Sequence, residues 1–152
     1  MLINRGFAWI AATAALVACG DEGLGGPELP DVAGQYVVRF EATEATGCEG
    51  FVEPGFTDGF LQVTQEDEDV TLELTEVTEF ILTDPEGTID SDGHFLFDGT
   101  IAVGDGQSST TADGAIDGFF NLVAGTIDLA FDFTVFTCQV RGRITGQRGG
   151  GV

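Results

Sequence analysis

Thr126-Ile127-Asp128-Leu129-Ala130-Phe131-Asp132-Phe133-Thr134-Val135 decides the fold class of this 152-residue chain. Ile127, Leu129, Phe131, Phe133 and Val135 fall on one side of an extended backbone. Asp128, Ala130, Asp132 and Thr134 fall on the other. Side chains alternate across a strand, so this period of two describes a strand with one face buried and one in water. A helix would scatter the same residues around its circumference.

The same pattern extends in both directions. Cys138 to Thr145 reads as a closing strand. His94 to Val103 reads as another, kinked at Gly99. Phe60-Leu61-Gln62-Val63-Thr64 and Val70-Thr71-Leu72-Glu73-Leu74-Thr75 flank Glu66-Asp67-Glu68-Asp69, a hairpin pattern. Phe80-Ile81-Leu82 is a short apolar run before a turn at Asp84-Pro85-Glu86-Gly87. Gln35 to Thr43 puts Tyr36, Val38, Phe40 and Ala42 on one face. Asp105-Gly106 and Asp113-Gly114 read as turn pairs, and Ser108-Ser109 as part of a polar loop.

A Gly-x-Ile unit recurs at Gly87, Gly99, Gly114, Gly125 and Gly142, at spacings of 12, 15, 11 and 17 residues. That interval is one strand plus one turn of an antiparallel meander. Seven to nine strands are expected, with no amphipathic helix after residue 20. An up-and-down sheet of about eight strands removes its exposed edges by closing on itself. The expected fold is therefore all-β, a small closed or nearly closed barrel, with a β-sandwich as the alternative.

Residues 1–18 have a different character. Arg5 precedes an uncharged, mostly apolar run from Phe7 to Ala18 that is too short to span a bilayer. Leu16-Val17-Ala18-Cys19 then resembles the lipobox of bacterial lipoproteins at all four positions. The resemblance implies cleavage before Cys19, diacylglyceryl transfer to its thiol and often acylation, palmitate being typical, of the new amine. Two or three acyl chains, at about 0.8 kcal/mol per buried CH₂, hold a protein at a membrane where one does so marginally. Gly20 to Pro30 reads as a tether. By the sorting rule of enterobacterial lipoproteins, Gly20 in place of an aspartate favours the outer membrane, with the body facing the periplasm or the exterior. The expected organisation is a signal peptide at 1–18, a lipidated tether at 19–31, a β domain at 32–148 and a tail at 149–152.

Lipidation of Cys19 leaves Cys48 and Cys138, which in an oxidising envelope are expected to form a disulfide from the end of the first strand to the start of the last. No CxxC pattern points to a metal or redox pair instead.

The charge excludes one class of partner. The chain carries 26 acidic residues, five arginines and no lysine, for a formal net charge of −21. Removal of 1–18 takes one arginine and no acid. Such a field repels phosphate backbones, so nucleic acid is not an expected partner. Alternation of the acids with apolar residues fits a solvated outer face.

Gly34-Gln35-Tyr36 on the first strand, with Arg141 or Arg143 on the last, resembles the lipocalin or calycin pattern. In that family a Gly-x-Trp meets an arginine from the end of the barrel; here Tyr replaces Trp, and the usual helix near the C-terminus is missing. The resemblance implies a barrel able to hold a small apolar ligand. The inward aromatics Tyr36, Phe40, Phe95, Phe97, Phe131 and Phe133 are the candidate ligand-binding residues.

Other chemistry is weaker. His94 is the sole histidine, and no Gly-x-Ser-x-Gly elbow accompanies it. With so many acids, any single carboxylate pair of the kind hydrolases use is uninformative. Asp90, Asp92 and Asp98 offer hard oxygen ligands for calcium, but the twelfth position of an EF-hand loop starting at Asp90 is Ile101, not Glu. No catalytic residue and no cofactor is expected. The expectation is a noncatalytic, membrane-anchored envelope lipoprotein that binds an apolar molecule or lipid. The alternative is a filled-core structural module that contacts another envelope protein.

Overall fold

The structure, a computed structural model, describes residues 28–50, 52–76, 81–105 and 107–150. The expected signal peptide, Cys19 and most of the expected tether lie outside these residues. Eight strands follow one another: β1 (Gly34–Thr46), β2 (Gly55–Glu66), β3 (Asp69–Thr75), β4 (Glu86–Ile89), β5 (His94–Gly104), β6 (Ser109–Asn121), β7 (Thr126–Val135) and β8 (Cys138–Arg148). Each pairs antiparallel with the next, and β8 pairs with β1, so the sheet closes into an up-and-down barrel. The barrel reading holds over the sandwich, and the described residues contain no helix. The architecture is consistent with a lipocalin-like barrel.

The segment Thr126–Val135 is β7 as its alternation requires, with Ile127, Leu129, Phe131 and Phe133 buried. Three local expectations are corrected. Asp113-Gly114 is not a turn but lies within β6, where Gly114 pairs with Phe133, and Ser109 opens that strand. The inward positions of β6 are Ala112, Gly114, Ile116, Gly118 and Phe120. Small residues there erase the apolar alternation that marks a strand in sequence. They are small because neighbouring rings fill the space: Phe133 Cδ1 lies 2.6 Å from where a Cβ on Gly114 would stand. The turn expected at Asp84–Gly87 is also displaced, since Glu86 and Gly87 already belong to β4 and Pro85 is fully buried. Of the run Phe80-Ile81-Leu82, Phe80 lies outside the described residues. Ile81 makes an isolated bridge to Val103, and the Leu82 amide donates to the Ala102 carbonyl at 2.8 Å.

The third correction concerns the arginine. Arg148, not Arg141 or Arg143, meets the Gly34-x-Tyr36 unit. Its Nε lies 2.9 Å from the point a Gly34 Cβ would occupy, and its guanidinium donates to the Ala33 carbonyl and, at 3.4 Å, to the Asp31 carbonyl. Arg141 and Arg143 point outward from β8. Arg141 pairs with Asp132 at 2.8 Å and Arg143 with Asp128 at 2.7 Å. Hydrogen bonds from Gln139 and Arg141 hold the Asp132 carboxyl below its ordinary pKa. These pairs are more than two-fifths exposed on both sides and serve register more than stability.

The barrel interior has two unlike ends. One is packed shut. Val32 crosses it fully buried, the Tyr36 hydroxyl donates to the Val32 carbonyl at 2.9 Å, and Gln65 ties down Val32 and Pro30. Pro30 and Val32 are thus packed against this end of the barrel. Burial pushes the Tyr36 phenol pKa up, with Arg148 opposing and Asp31 adding to the rise. Phe120 takes Tyr36 and Phe95 edge-on, at centroid distances of 5.8 and 6.2 Å. Gly93 makes the nearby β4–β5 turn with φ 83°, a left-handed conformation that glycine adopts without strain. Above this layer Val38, Leu61, Leu72, Ile116, Leu129 and Ile144 fill the waist. Among the described residues the hydrophobic core runs from Val32 to Ile144.

Candidate functional site

The other end is hollow. A cavity of about 970 Å³ opens there, at the upper end of the size range of small-molecule sites. Its walls come from inward positions on β1, β2, β5, β6, β7 and β8, among them Phe40, Ala42, Ile101, Val103, Ala112, Phe131, Phe133, Val135 and Val140. The space exists because inward positions near this end hold small side chains. Ala42, Gly55 and Ala112 line it, while Gly142 and Gly114 pair with Phe131 and Phe133. On Gly142 a Cβ would meet the Phe131 ring and the Glu41 carbonyl, so only glycine lets the ring lie flat against β8. Phe131 then stacks on Phe40 with centroids 4.5 Å apart and planes 13° from parallel.

Among the described residues the mouth is built from Gly47 to Glu49, Val52 and Glu53 of the β1–β2 loop, Glu76 just past β3, and Phe136 and Thr137 of the β7–β8 turn. Disulfide Cys48–Cys138 joins the first of these to the start of β8, as the sequence led one to expect. Phe136 stands at φ 54° with 83% of its surface exposed. A bulky residue in that backbone region is a conformational outlier of the kind concentrated at functional sites. Phe56, 62% exposed, also reaches the mouth, with the Arg39 guanidinium 4.2 Å above its ring. Three carboxylates complete the lining, Glu49, Glu53 and Glu76. Along one side the wall is thin. β4 pairs with β3 only at Asp69–Thr71 and with β5 only at Phe95 and Leu96, so toward the mouth the gap is spanned by Ile81 to Pro85.

Of the aromatics singled out in the sequence, the fold brings Phe40, Phe131 and Phe133 together on the cavity wall. Phe97 lies against Phe133 at 6.3 Å, outside the lining. Tyr36 and Phe95 are in the closed end and do not reach the cavity. Alternation tells which residues point inward; it does not tell how high each stands along the barrel axis. Sequence reasoning missed Ala42, Ile101, Ala112, Val140, Phe56, Phe136 and the three glutamates. One signal could have found some of them, since residues flanking Cys48 and Cys138 must share one end of the barrel.

The acidic and histidine candidates lie elsewhere. Asp90 Oδ1 accepts from the amides of Asp92 and His94 at 2.9 and 3.0 Å, closing the β4–β5 turn. Asp98 sits on the outer face of β5. Among the described residues no group of three His, Cys, Asp or Glu side chains is arranged to hold a metal. His94 Nε2 stands 3.0 Å from Asp117 Oδ1 on the outer wall. A second depression, of about 470 Å³, lies outside the barrel over β6–β8 and is crossed by the Arg143–Asp128 pair. It lacks apolar enclosure, so the interior cavity is the better ligand site. Comparison with protein-family models, curated proteins and solved structures finds no match for this chain.

Proposed function

We propose that this protein is a noncatalytic lipoprotein of the bacterial envelope, anchored through Cys19, whose barrel binds a small apolar molecule. The observation that carries the binding role is the cavity of about 970 Å³, opening through one end of an otherwise packed barrel. A structural module needs no such void, because an unfilled interior forfeits packing energy. The aromatic wall of Phe40, Phe131 and Phe133 supplies flat apolar surface, and no polar side chain is buried in the described core to orient a reacting group. The lipobox supports the anchor and the envelope location.

The binding role is tested on the chain from Cys19 onward carrying Cys19→Ser. The probe is the neutral dye N-phenyl-1-naphthylamine, which brightens in apolar surroundings. The only native tryptophan, Trp9, precedes Cys19, so the parent's dye emission is free of tryptophan signal, and the indole of the variant below is controlled for by exciting the dye beyond the tryptophan band. Dye binding is expected for the parent and a loss of tenfold or more for Ala112→Trp, whose indole would occupy the cavity, with the thermal midpoint retained. Equal binding by both proteins, or none by either, would leave the filled-core interaction module as the better reading. The anchor is tested in a bacterial host fed labelled palmitate. The full-length chain should take up label and partition into detergent, and Cys19→Ser should do neither. Label on both chains, or on neither, would remove Cys19 as the anchor.

A further inference from the structure

We infer that the cavity selects by charge, accepting amphiphiles with a cationic head such as long-chain amines in preference to carboxylates or phosphates of the same tail. This rests on the binding role proposed above and adds the class of ligand.

The inference starts from what the cavity lacks. A carboxylate or phosphate head brought to the mouth of an apolar cavity is partly desolvated and needs a cation or several donors close by. Among the described residues no arginine, lysine or histidine lines the cavity. The chain has no lysine, and its described arginines are committed elsewhere. Arg39 is held by both oxygens of Asp58, at 2.8 and 3.1 Å, on the outer face. Arg141 lies between Asp132 and Glu44, Arg143 holds Asp128, and Arg148 covers the opposite end of the barrel.

What the mouth does offer is negative. Glu49, Glu53 and Glu76 are its charged lining residues, the first two within the β1–β2 loop and the third just past the end of β3. The loop and the end of β3 are brought to one mouth by the pairing of β2 with β3. Below them the wall is apolar as far as the stacked Phe40 and Phe131. A tail fits the apolar depth, and a head at the mouth meets carboxylates. Exposed Phe136 adds an aromatic ring beside the same opening, and ring faces also attract a cation. The net charge of −21 has the same sign and reinforces the preference at long range.

Decylamine, decanol and decanoate share one tail and differ in charge at pH 7. Each is titrated against N-phenyl-1-naphthylamine bound to the Cys19→Ser chain, below its micelle concentration. The expected order is amine, then alcohol, then acid, with amine and acid separated by about tenfold or more at low salt and by less at 0.5 M NaCl, where charges are screened beyond a few ångströms. Glu49→Gln, Glu53→Gln and Glu76→Gln combined should close most of the amine–acid gap and leave decanol unchanged. All three positions are exposed, so the fold should tolerate the change, and circular dichroism checks this. Decanoate binding as tightly as decylamine in the parent would overturn the charge selection while leaving the binding role intact. Failure of all three to displace bound dye would overturn the amphiphile selection and leave the binding role to the dye, absence of dye binding would overturn both, and a salt-independent gap would overturn the electrostatic cause.

Discussion

Breaking the Cys48–Cys138 bridge is expected to cost the barrel a large part of its stability. The bridge joins residues 90 positions apart, so it closes most of the folded body into one loop. In the chain-entropy account, a loop of that length removes about 4.6 kcal/mol of freedom from the unfolded chain. A domain of this size is stable by only about 5–15 kcal/mol, so the loss is a substantial fraction of the total. The native geometry makes the bridge local in space although remote in sequence. β1 and β8 are neighbours in the closed sheet, and Thr46 at the end of β1 already pairs with Gln139. Urea unfolding of the parent and of Cys48→Ala/Cys138→Ala should show the midpoint falling with little change in slope for the folded state. A loss well below about 2 kcal/mol would mean that the unfolded chain keeps β1 and β8 together without the bridge. Dithiothreitol should reproduce the effect on the parent and leave the double variant unaffected.

Phe95→Ala should be the most damaging of the aromatic truncations, with a loss of about 3–5 kcal/mol. Phe95 is fully buried at the closed end, edge-on to Phe120, with its ring over Gly87. Removing the ring leaves a sealed void where the barrel has no means to collapse. Phe133→Ala provides the contrast. Its ring faces a cavity that is already open, so truncation enlarges an existing space, although contacts to Phe97, Phe131 and the Gly114 backbone are lost. A cost nearer 1–2 kcal/mol is expected there, together with a change in dye affinity that Phe95→Ala lacks at temperatures where it remains folded. Equal costs from the two truncations would contradict the division of the barrel into a packed end and a hollow one.

The sequence by itself determined the class, the antiparallel order and, in the clearest strands, which side chains face inward. Alternation in Thr126–Val135 and in Gln35–Thr43 fixes which side chains face inward, because a strand has period two whatever surrounds it. Regular spacing of turns determined an up-and-down order, and the two cysteines of the β body, Cys48 and Cys138, determined the bridge. Local patterns misled where packing overrode them. Asp113-Gly114 has turn chemistry but lies in β6, because Phe133 needs the volume above Gly114 and the ladder to β5 and β7 passes through both residues. Arg148 took the place expected of Arg141 or Arg143 because β8 runs further toward the closed end than its apolar residues show.

Tertiary structure alone decided where along the barrel each inward residue stands. Tyr36 and Phe95 share the parity of Phe40 and Phe131, yet one pair seals an end and the other lines a cavity. That division depends on the stagger between neighbouring strands, which sets small residues of one strand against rings of the next. The convergence of Glu49 and Glu53 with Glu76 at one mouth has the same origin, since the β1–β2 loop and the end of β3 reach the same end of the barrel only when β2 and β3 pair.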